Sequence, residues 1–447
     1  MSAILIVVSA IALLIVLIMV LRIHAFLALA ITAFVTAILA GHPVGESVAM
    51  VTSGFGVSAG NIAIVIGLAV ISGQLMQESG AAEKIAWSLL GLTGQKKAPL
   101  AMVGSGYILS IPLFSDTSYY LLIPIAKAVA KAGKLSFVSM VVALGCGSLA
   151  THCFVPPTPG PLMMAQTLNV DLGITIIVGL AVALLPSLVA GWLYSVWIGK
   201  RIVIDEERFM AGLPADTGEN KILPSLAASL TPIAVPVVLI AGNTITAATV
   251  EAGNPSHSFF SIAGLPVIAL FIGTLISYIT LGIKRGKSFE ELGQTMSRAL
   301  EIGGTVILIT AAGGAFGSVL VKSGIGASIT SLIAGMGIPP LLYVFLMAVI
   351  LKTSQGSSAT AMITVSAMMA PLLPEMDLSF HPVYIIMAIA SGSMVFSWMN
   401  DSGFWVIAKL CNMTEKEAIK SMTVSNAIMG FTGFVVTCIL AAIVPMM

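Results

Sequence analysis

The chain has 447 residues, 58% of them hydrophobic and 9% charged, with a formal net charge of +1 and a mean hydropathy of +1.06. Soluble domains carry about 25% charged residues, so this composition cannot clothe a water-facing surface, and so small a charge gives no basic field for nucleic acid. The apolar runs are long and continuous rather than alternating, which excludes a porin-like barrel and leaves an all-α integral membrane protein.

In chain order, apolar runs long enough to cross the bilayer are predicted over about 3–21, 25–40, 61–77, 139–168, 173–198, 224–243, 260–282, 300–320, 383–410 and 421–445. No basic segment precedes the first run and Arg22 follows it, so it reads as a membrane helix rather than a signal peptide. Two further stretches, 98–133 and 338–374, each pair short apolar arms around a polar knot: Phe114-Ser115-Asp116-Thr117-Ser118 in one and Lys352-Thr353-Ser354-Gln355-Gly356-Ser357-Ser358 in the other. Polar residues at the tips of such short arms predict re-entrant helical hairpins. The alternative is a pair of thin spanning helices at each place.

A charged segment from Lys200 to Lys221 divides the chain into a first membrane unit (1–200), a linker (201–223) and a second unit (224–447). The units share a pattern. Gln77-Glu78-Ser79-Gly80 matches Val321-Lys322-Ser323-Gly324, and Gly145-Cys146-Gly147-Ser148 matches Ala390-Ser391-Gly392-Ser393, each about 245 positions on. A polar knot lies between the anchors in each unit. A helix break follows the second anchor, at Pro156-Pro157-Thr158-Pro159-Gly160-Pro161 and at Asn400-Asp401-Ser402-Gly403. With five spans and one hairpin per unit, the Lys and Arg residues gather on one face, apart from Lys322 on the other face and Lys352 within the membrane, while loops 41–60, 244–259 and 375–382 contain none. That asymmetry predicts a cytoplasmic linker and both termini outside. An odd number of spans turns the second unit upside down, giving two inverted repeats with a discontinuous helix in each, the architecture of secondary transporters.

Most ionisable residues fall in loops, as the insertion cost of a charge at the bilayer centre, at least ~2.5–3.5 kcal/mol, requires. Asp116, His152, Lys352 and Asp401 do not: all four lie at knots or breaks and can converge on one polar cavity. The proline run lacks amide hydrogens, so carbonyls are freed there and must line protein or a wet cavity. The half-helices restarting beyond each break present positive N-termini, suited to an anion. Ser115, Thr117, Ser354, Gln355, Ser357, Ser358 and Thr360 at the tips, with Asn400 and Ser402 at the second break, suit a hydroxylated solute. Asp116, His152 and Asp401 are the candidates for carrying a proton, and Lys352 is a charge partner for a carboxylate. Cys146, Cys153, Cys411 and Cys438 lack metal-ligand spacing, and neither a metal nor a cofactor is expected.

Three segments carry a family resemblance. Thr151-His152-Cys153-Phe154-Val155-Pro156-Pro157-Thr158-Pro159-Gly160-Pro161, Asn400-Asp401-Ser402-Gly403-Phe404-Trp405 and Gln355-Gly356-Ser357-Ser358-Ala359-Thr360 resemble the gluconate permease family of gluconate/proton symporters, and a looser similarity covers nearly the whole chain. The resemblance implies a carrier in the bacterial inner membrane, not an enzyme, that imports a small hydroxylated monocarboxylate with a proton. Kinship with the wider ion-transporter superfamily implies a homodimer, and a solute carboxylate held between hairpin tips and broken helices. The site so implied comprises Ser115, Asp116, Thr117, Thr151, His152, Thr158, Gly160, Gln355, Gly356, Ser357, Ser358, Asn400, Asp401 and Ser402. Thr158 and Trp398 stand where the family often has histidine, so glycerate, another aldonate or D-serine also enters as a candidate solute. Two rival readings remain: a sodium-coupled carrier of mono- or dicarboxylates, and a membrane enzyme built on Ser148 and His152, four residues apart on one predicted helix.

Overall fold

The computed structural model describes residues 3–112, 114–204, 208, 223–251, 254–323, 338–399 and 401–446. Among these residues every regular element is helical. The first half contains α1 (Ala3–Ile15), α2 (Ala25–Leu39), α3 (Val44–Glu78), α4 (Ala81–Thr93), α5 (Ala98–Leu109), α6 (Ser115–Gly133), α7 (Phe137–Phe154), α8 (Pro159–Thr167) and α9 (Leu172–Leu188, prolonged through a π-turn to Gly199). The second contains α10 (Leu226–Thr249), α11 (Pro255–Ala263), α12 (Pro266–Ser277, prolonged to Arg285), α13 (Phe289–Lys322), α14 (Pro340–Gln355), α15 (Ser358–Met369), α16 (Val383–Gly392), α17 (Ser402–Leu410) and α18 (Glu415–Ile443, with a π-turn at Ile419–Thr423). Seven of these helices are long and apolar enough to cross a membrane. Their outer faces carry Ile64, Leu184, Val238, Phe271 and Phe431 in exposed positions, as contact with lipid requires.

One sequence expectation needs correction. Residues 41–60 are not an outer loop, because α3 begins at Val44 and runs 35 residues. The segment is poor in large apolar residues for a packing reason. A Cβ on Gly54 would lie 2.8 Å from the Ser318 Cβ, and one on Gly314 would lie 2.0 Å from the Ser58 hydroxyl. Small side chains here let α3 and α13 cross closely, as membrane helices do. Glu78 fastens the far end of the same pair: it accepts from Arg298 Nη2 at 2.9 Å, Thr295 Oγ1 at 2.7 Å, Gln74 Nε2 at 3.0 Å and the Lys287 ammonium. Around this frame α2 packs on both α3 and α13, and α12 packs on α3.

The polar knots join helices where the sequence places them. α5 and α15 have 12 residues each, and at 1.5 Å per residue each reaches ~18 Å, short of a ~30 Å hydrocarbon core. Each hairpin lies against a helix that is buried throughout. α5 crosses α7 so closely that a Cβ on Gly147 would sit 2.1 Å from the Val103 carbonyl oxygen. α14 crosses α16 in the same way, with a Cβ on Gly392 meeting the Phe345 carbonyl oxygen at 2.4 Å. The ladder of α7 stops at the proline run and that of α16 stops before Asp401, where Phe396 takes φ 54° and turns the chain. The short helices beyond the breaks change sides: α8 packs on α15, and α17 on α6.

Candidate functional site

Both hairpin tips and the second break open onto one cavity of about 160 Å³, while the proline run of the first break faces a separate crevice. Its wall includes Ser115 and Tyr119 from α6, Leu149 and His152 from α7, Ser357, Ser358 and Ala359 from the second tip, Ser397 and Asp401 from the second break, Gly403, Phe404 and Ile407 from α17, and Met422 and Asn426 from α18.

Asp401 is the best-connected group there. It is the N-cap of α17, where its Oδ1 accepts from the Gly403 amide at 2.8 Å. Its Oδ2 accepts from the Lys352 ammonium at 2.5 Å and from the Ser397 hydroxyl. Lys352 closes the last turn of α14 and is 1% exposed. Its ammonium also donates to the carbonyl of Gly356, at 2.5 Å. Gly356 takes φ +81°, a left-handed turn that glycine adopts without a Cβ clash and that aims its carbonyl back at Lys352. A buried ammonium needs a counter-charge and further acceptors, and the hairpin tip and the helix break together supply them.

The remaining tip groups hold the wall in shape. Ser357 Oγ accepts from the Thr360 amide at 3.2 Å and so caps α15, while the Ser358 hydroxyl donates to the Ser393 carbonyl at 2.7 Å. At the other tip the hydroxyls of Ser110 and Ser118 are 2.9 Å apart, and Phe114 meets the His152 ring edge to face at 6.2 Å between centroids. Among the described residues, His152 Nδ1 is buried without a hydrogen-bond partner.

Of the residues the sequence singles out, Ser115, His152, Ser357, Ser358 and Asp401 share the cavity, with Lys352 directly behind Asp401 and Gly356 behind Lys352. Others do not reach it. Thr117 faces a separate crevice with Gln74 and Ala299. Thr158 lines a second crevice beside Pro157 and Pro159, and its hydroxyl donates to the Val155 carbonyl at 2.6 Å. Gly160 lies against Met362 of α15, whose Cε would be 2.2 Å from an added Cβ. Thr151 is fully buried off the wall, its hydroxyl without a partner among the described residues. The side chains of Asp116, Ser354, Gln355 and Ser402, and the whole of Asn400, lie outside the described residues. Ser148, the nucleophile an enzyme would need beside His152, packs against Gly106 of α5, where an added Cβ would meet its hydroxyl at 2.7 Å. Among the described residues no three His, Cys, Asp or Glu side chains gather as metal ligands.

Sequence reasoning missed Tyr119, Ser397 and Asn426. Tyr119 follows Ser115 by one helical turn, so it shares that face of α6. Ser397 precedes Asp401 by four positions at the break. Asn426 is a single carboxamide in the buried stripe of α18 and carried no motif.

Comparison with known proteins agrees with this architecture. Residues 1–444 match the family described as GntP family permease. An uncharacterised permease of Haemophilus influenzae is 37% identical over 407 residues, covering 88% of this chain and 83% of that protein. The low-affinity gluconate transporter of Escherichia coli is 30% identical over 434 residues, 96% of each chain. The Gnt-II system L-idonate transporter of the same organism is 29% identical over 430 residues, again 96% of each. Among solved structures, the YdaH transporter of Alcanivorax borkumensis superimposes with a TM-score of 0.62 at 14% identity, over 94% of this chain and 98% of that one. MtrF of Neisseria gonorrhoeae gives 0.63 at 14% identity, over 94% of each. At that identity the two structures speak for the fold alone.

Proposed function

The chain belongs to the GntP permease family and is a multi-pass transporter of the bacterial inner membrane, and on that premise we propose that it imports a small hydroxylated monocarboxylate, of the gluconate kind, by proton symport. The observation that carries the reading is the Lys352–Asp401 pair set into the wall of the cavity at the N-terminus of α17. A proton on Asp401 cancels its hold on Lys352. A solute carboxylate then takes the place beside the ammonium and the α17 amides, with help from the helix dipole. Before and after, the site holds one ammonium and one carboxylate, so a proton and a monoanion enter together without leaving a net charge buried. Of Asp116, His152 and Asp401, this makes Asp401 the proton carrier.

The two halves are read as inverted repeats. Equivalent glycines, Gly147 and Gly392, cross equivalent carbonyls, and each half-helix packs on the hairpin arm of the other half. In this reading the hairpins and broken helices move together against the α3–α13 frame to open the cavity to either side. The linker lies in the cytoplasm and both termini outside.

Uptake of labelled gluconate and glycerate into proteoliposomes, at fixed pH with and without sodium, tests the coupling. Accumulation driven by an inward proton gradient in sodium-free buffer is expected. Uptake that requires sodium and ignores the proton gradient would replace symport with the sodium-coupled alternative.

A further inference from the structure

We infer that Asn426 reads a hydroxyl group of the solute and so makes the cavity select hydroxylated over unsubstituted carboxylates. The inference rests on the reading of the cavity as the carboxylate site and names the feature that sets its selectivity.

The buried face of α18 carries several polar side chains, and they divide into two kinds. The Ser421, Ser425 and Thr437 hydroxyls donate to carbonyls of the preceding turn, those of Glu417, Met422 and Gly433, at 2.6, 2.9 and 2.8 Å. These hydroxyls are satisfied within the helix and need nothing from outside. Asn426 is 6% exposed, lines the cavity, and its Oδ1 is buried without a hydrogen-bond partner among the described residues. A carboxamide oxygen only accepts, so a helix carbonyl cannot satisfy it. A buried acceptor in this state is costly until a donor arrives.

The rest of the lining explains where that donor comes from. Ser357, Ser358, Ser397 and Asp401 already bond to protein groups. Among the described residues, the fully buried polar atoms of the wall left without a partner are Asn426 Oδ1 and His152 Nδ1. Leu149, Phe404, Ile407 and Met422 of the same wall supply apolar surface, suited to a carbon skeleton. A hydroxyl both donates and accepts, as a carboxamide does, so the two pair in either orientation of the amide. A methylene in its place leaves Asn426 unpaired once the cavity closes over the solute. A site built this way discriminates against the analogue that lacks the hydroxyl.

The test is calorimetric binding of D-gluconate and hexanoate, and of glycerate and propionate, to the purified full-length protein and its Asn426→Leu and Asn426→Ala variants. The wild type is expected to prefer the hydroxylated member of each pair. The variants should lose roughly tenfold to a hundredfold in affinity for at least one hydroxy acid while keeping or improving affinity for the plain acids, which also shows that they are folded. The alanine variant, smaller than the native side chain, carries the same readout if the leucine variant does not fold. A folded variant whose gluconate-to-hexanoate and glycerate-to-propionate ratios equal those of the wild type overturns the role of Asn426 and leaves the carboxylate site standing. A wild type that binds none of the four acids overturns the carboxylate site and this inference with it.

Discussion

Replacing Asp401 by Asn separates the charge of this residue from its shape. Asn caps helix N-termini about as well as Asp, so the bond from the Gly403 amide is retained and α17 keeps its start. What disappears is the charge that faces Lys352 at 2.5 Å, with the lysine side chain 1% and the aspartate 16% exposed. Breaking such a buried pair costs about 3–5 kcal/mol, and the cavity beside Asp401 puts the expected loss near the lower end, about 3 kcal/mol. The empty carrier should therefore unfold more readily on heating. The solute anion supplies the missing counter-charge, so ligand should restore more stability to the variant than to the wild type, and its affinity at neutral pH should rise by as much as about a hundredfold. In the wild type, binding that takes up one proton weakens tenfold per pH unit; in the variant the slope should be flat. Calorimetry across a pH series reads that slope directly. Proteoliposomes then distinguish transport modes: Asp401→Asn should exchange solute in counterflow yet fail to accumulate it under a proton gradient. Full proton-driven accumulation by this variant, or an unchanged pH slope, would refute the exchange of partners at Lys352.

Lys352→Met should abolish solute binding at every pH, measured by the same calorimetry, because no ammonium is left to receive the carboxylate. Gly147→Ala should destabilise the protein by about 1–3 kcal/mol in detergent melts, since the added methyl falls 2.1 Å from the Val103 carbonyl oxygen. Gly304→Ala on α13, with nothing within 4 Å of the new Cβ, should be neutral or stabilise by up to about 1 kcal/mol through helix propensity. At the loop before α16, burial holds the His381 imidazole below its usual range, although Asp171 opposes the shift. The folded protein then binds fewer protons at this site than the unfolded chain. Its contribution to stability is present above the ordinary histidine range and is lost as pH falls through it, and His381→Gln should flatten that part of the stability profile in melts against pH.

Much of this architecture is legible because a membrane makes demands that sequence cannot hide. Apolar runs must be long, and ionisable residues within them must meet a partner, so Lys352 and Asp401 stand out as charges without a loop to sit in. Their pairing follows from a knot and a break facing one cavity. The proline run marks where the ladder of α7 ends, and the Asp401-Ser402 pair marks where α17 restarts the ladder that α16 leaves at Gly392. The extent of α3 was not legible, because Gly54 and Ser58 look like loop residues until α13 supplies the surface against which small side chains are needed. The same limit applies to Thr158: its place beside a helix N-terminus is read easily, but the bond from its hydroxyl to Val155 depends on how the break turns. Asn426 is the opposite case. Nothing near it in sequence is unusual, and only the absence of a partner among the described residues sets it apart from the hydroxyls around it.

The exchange of short helices between the halves has a consequence for how the site assembles. α17 carries Asp401 at its N-terminus but packs on α6, whose own start supplies Ser115 and Tyr119. α8 packs on α15, whose start supplies Ser357 and Ser358. Each half-helix is thus packed on the hairpin arm of the other half, and the cavity draws its lining from both halves. Movement of α6 should disturb the α17 cap and, through Asp401, the hold on Lys352. Substitution of Ser118, whose hydroxyl is 2.9 Å from that of Ser110 at the first tip, is therefore expected to alter solute affinity although neither serine lines the cavity. Ser118→Ala should lower affinity several-fold while Ser88→Ala, at a hydroxyl bonded within α4, leaves it unchanged. Equal affinities for the two variants would show that the first hairpin does not position the second break.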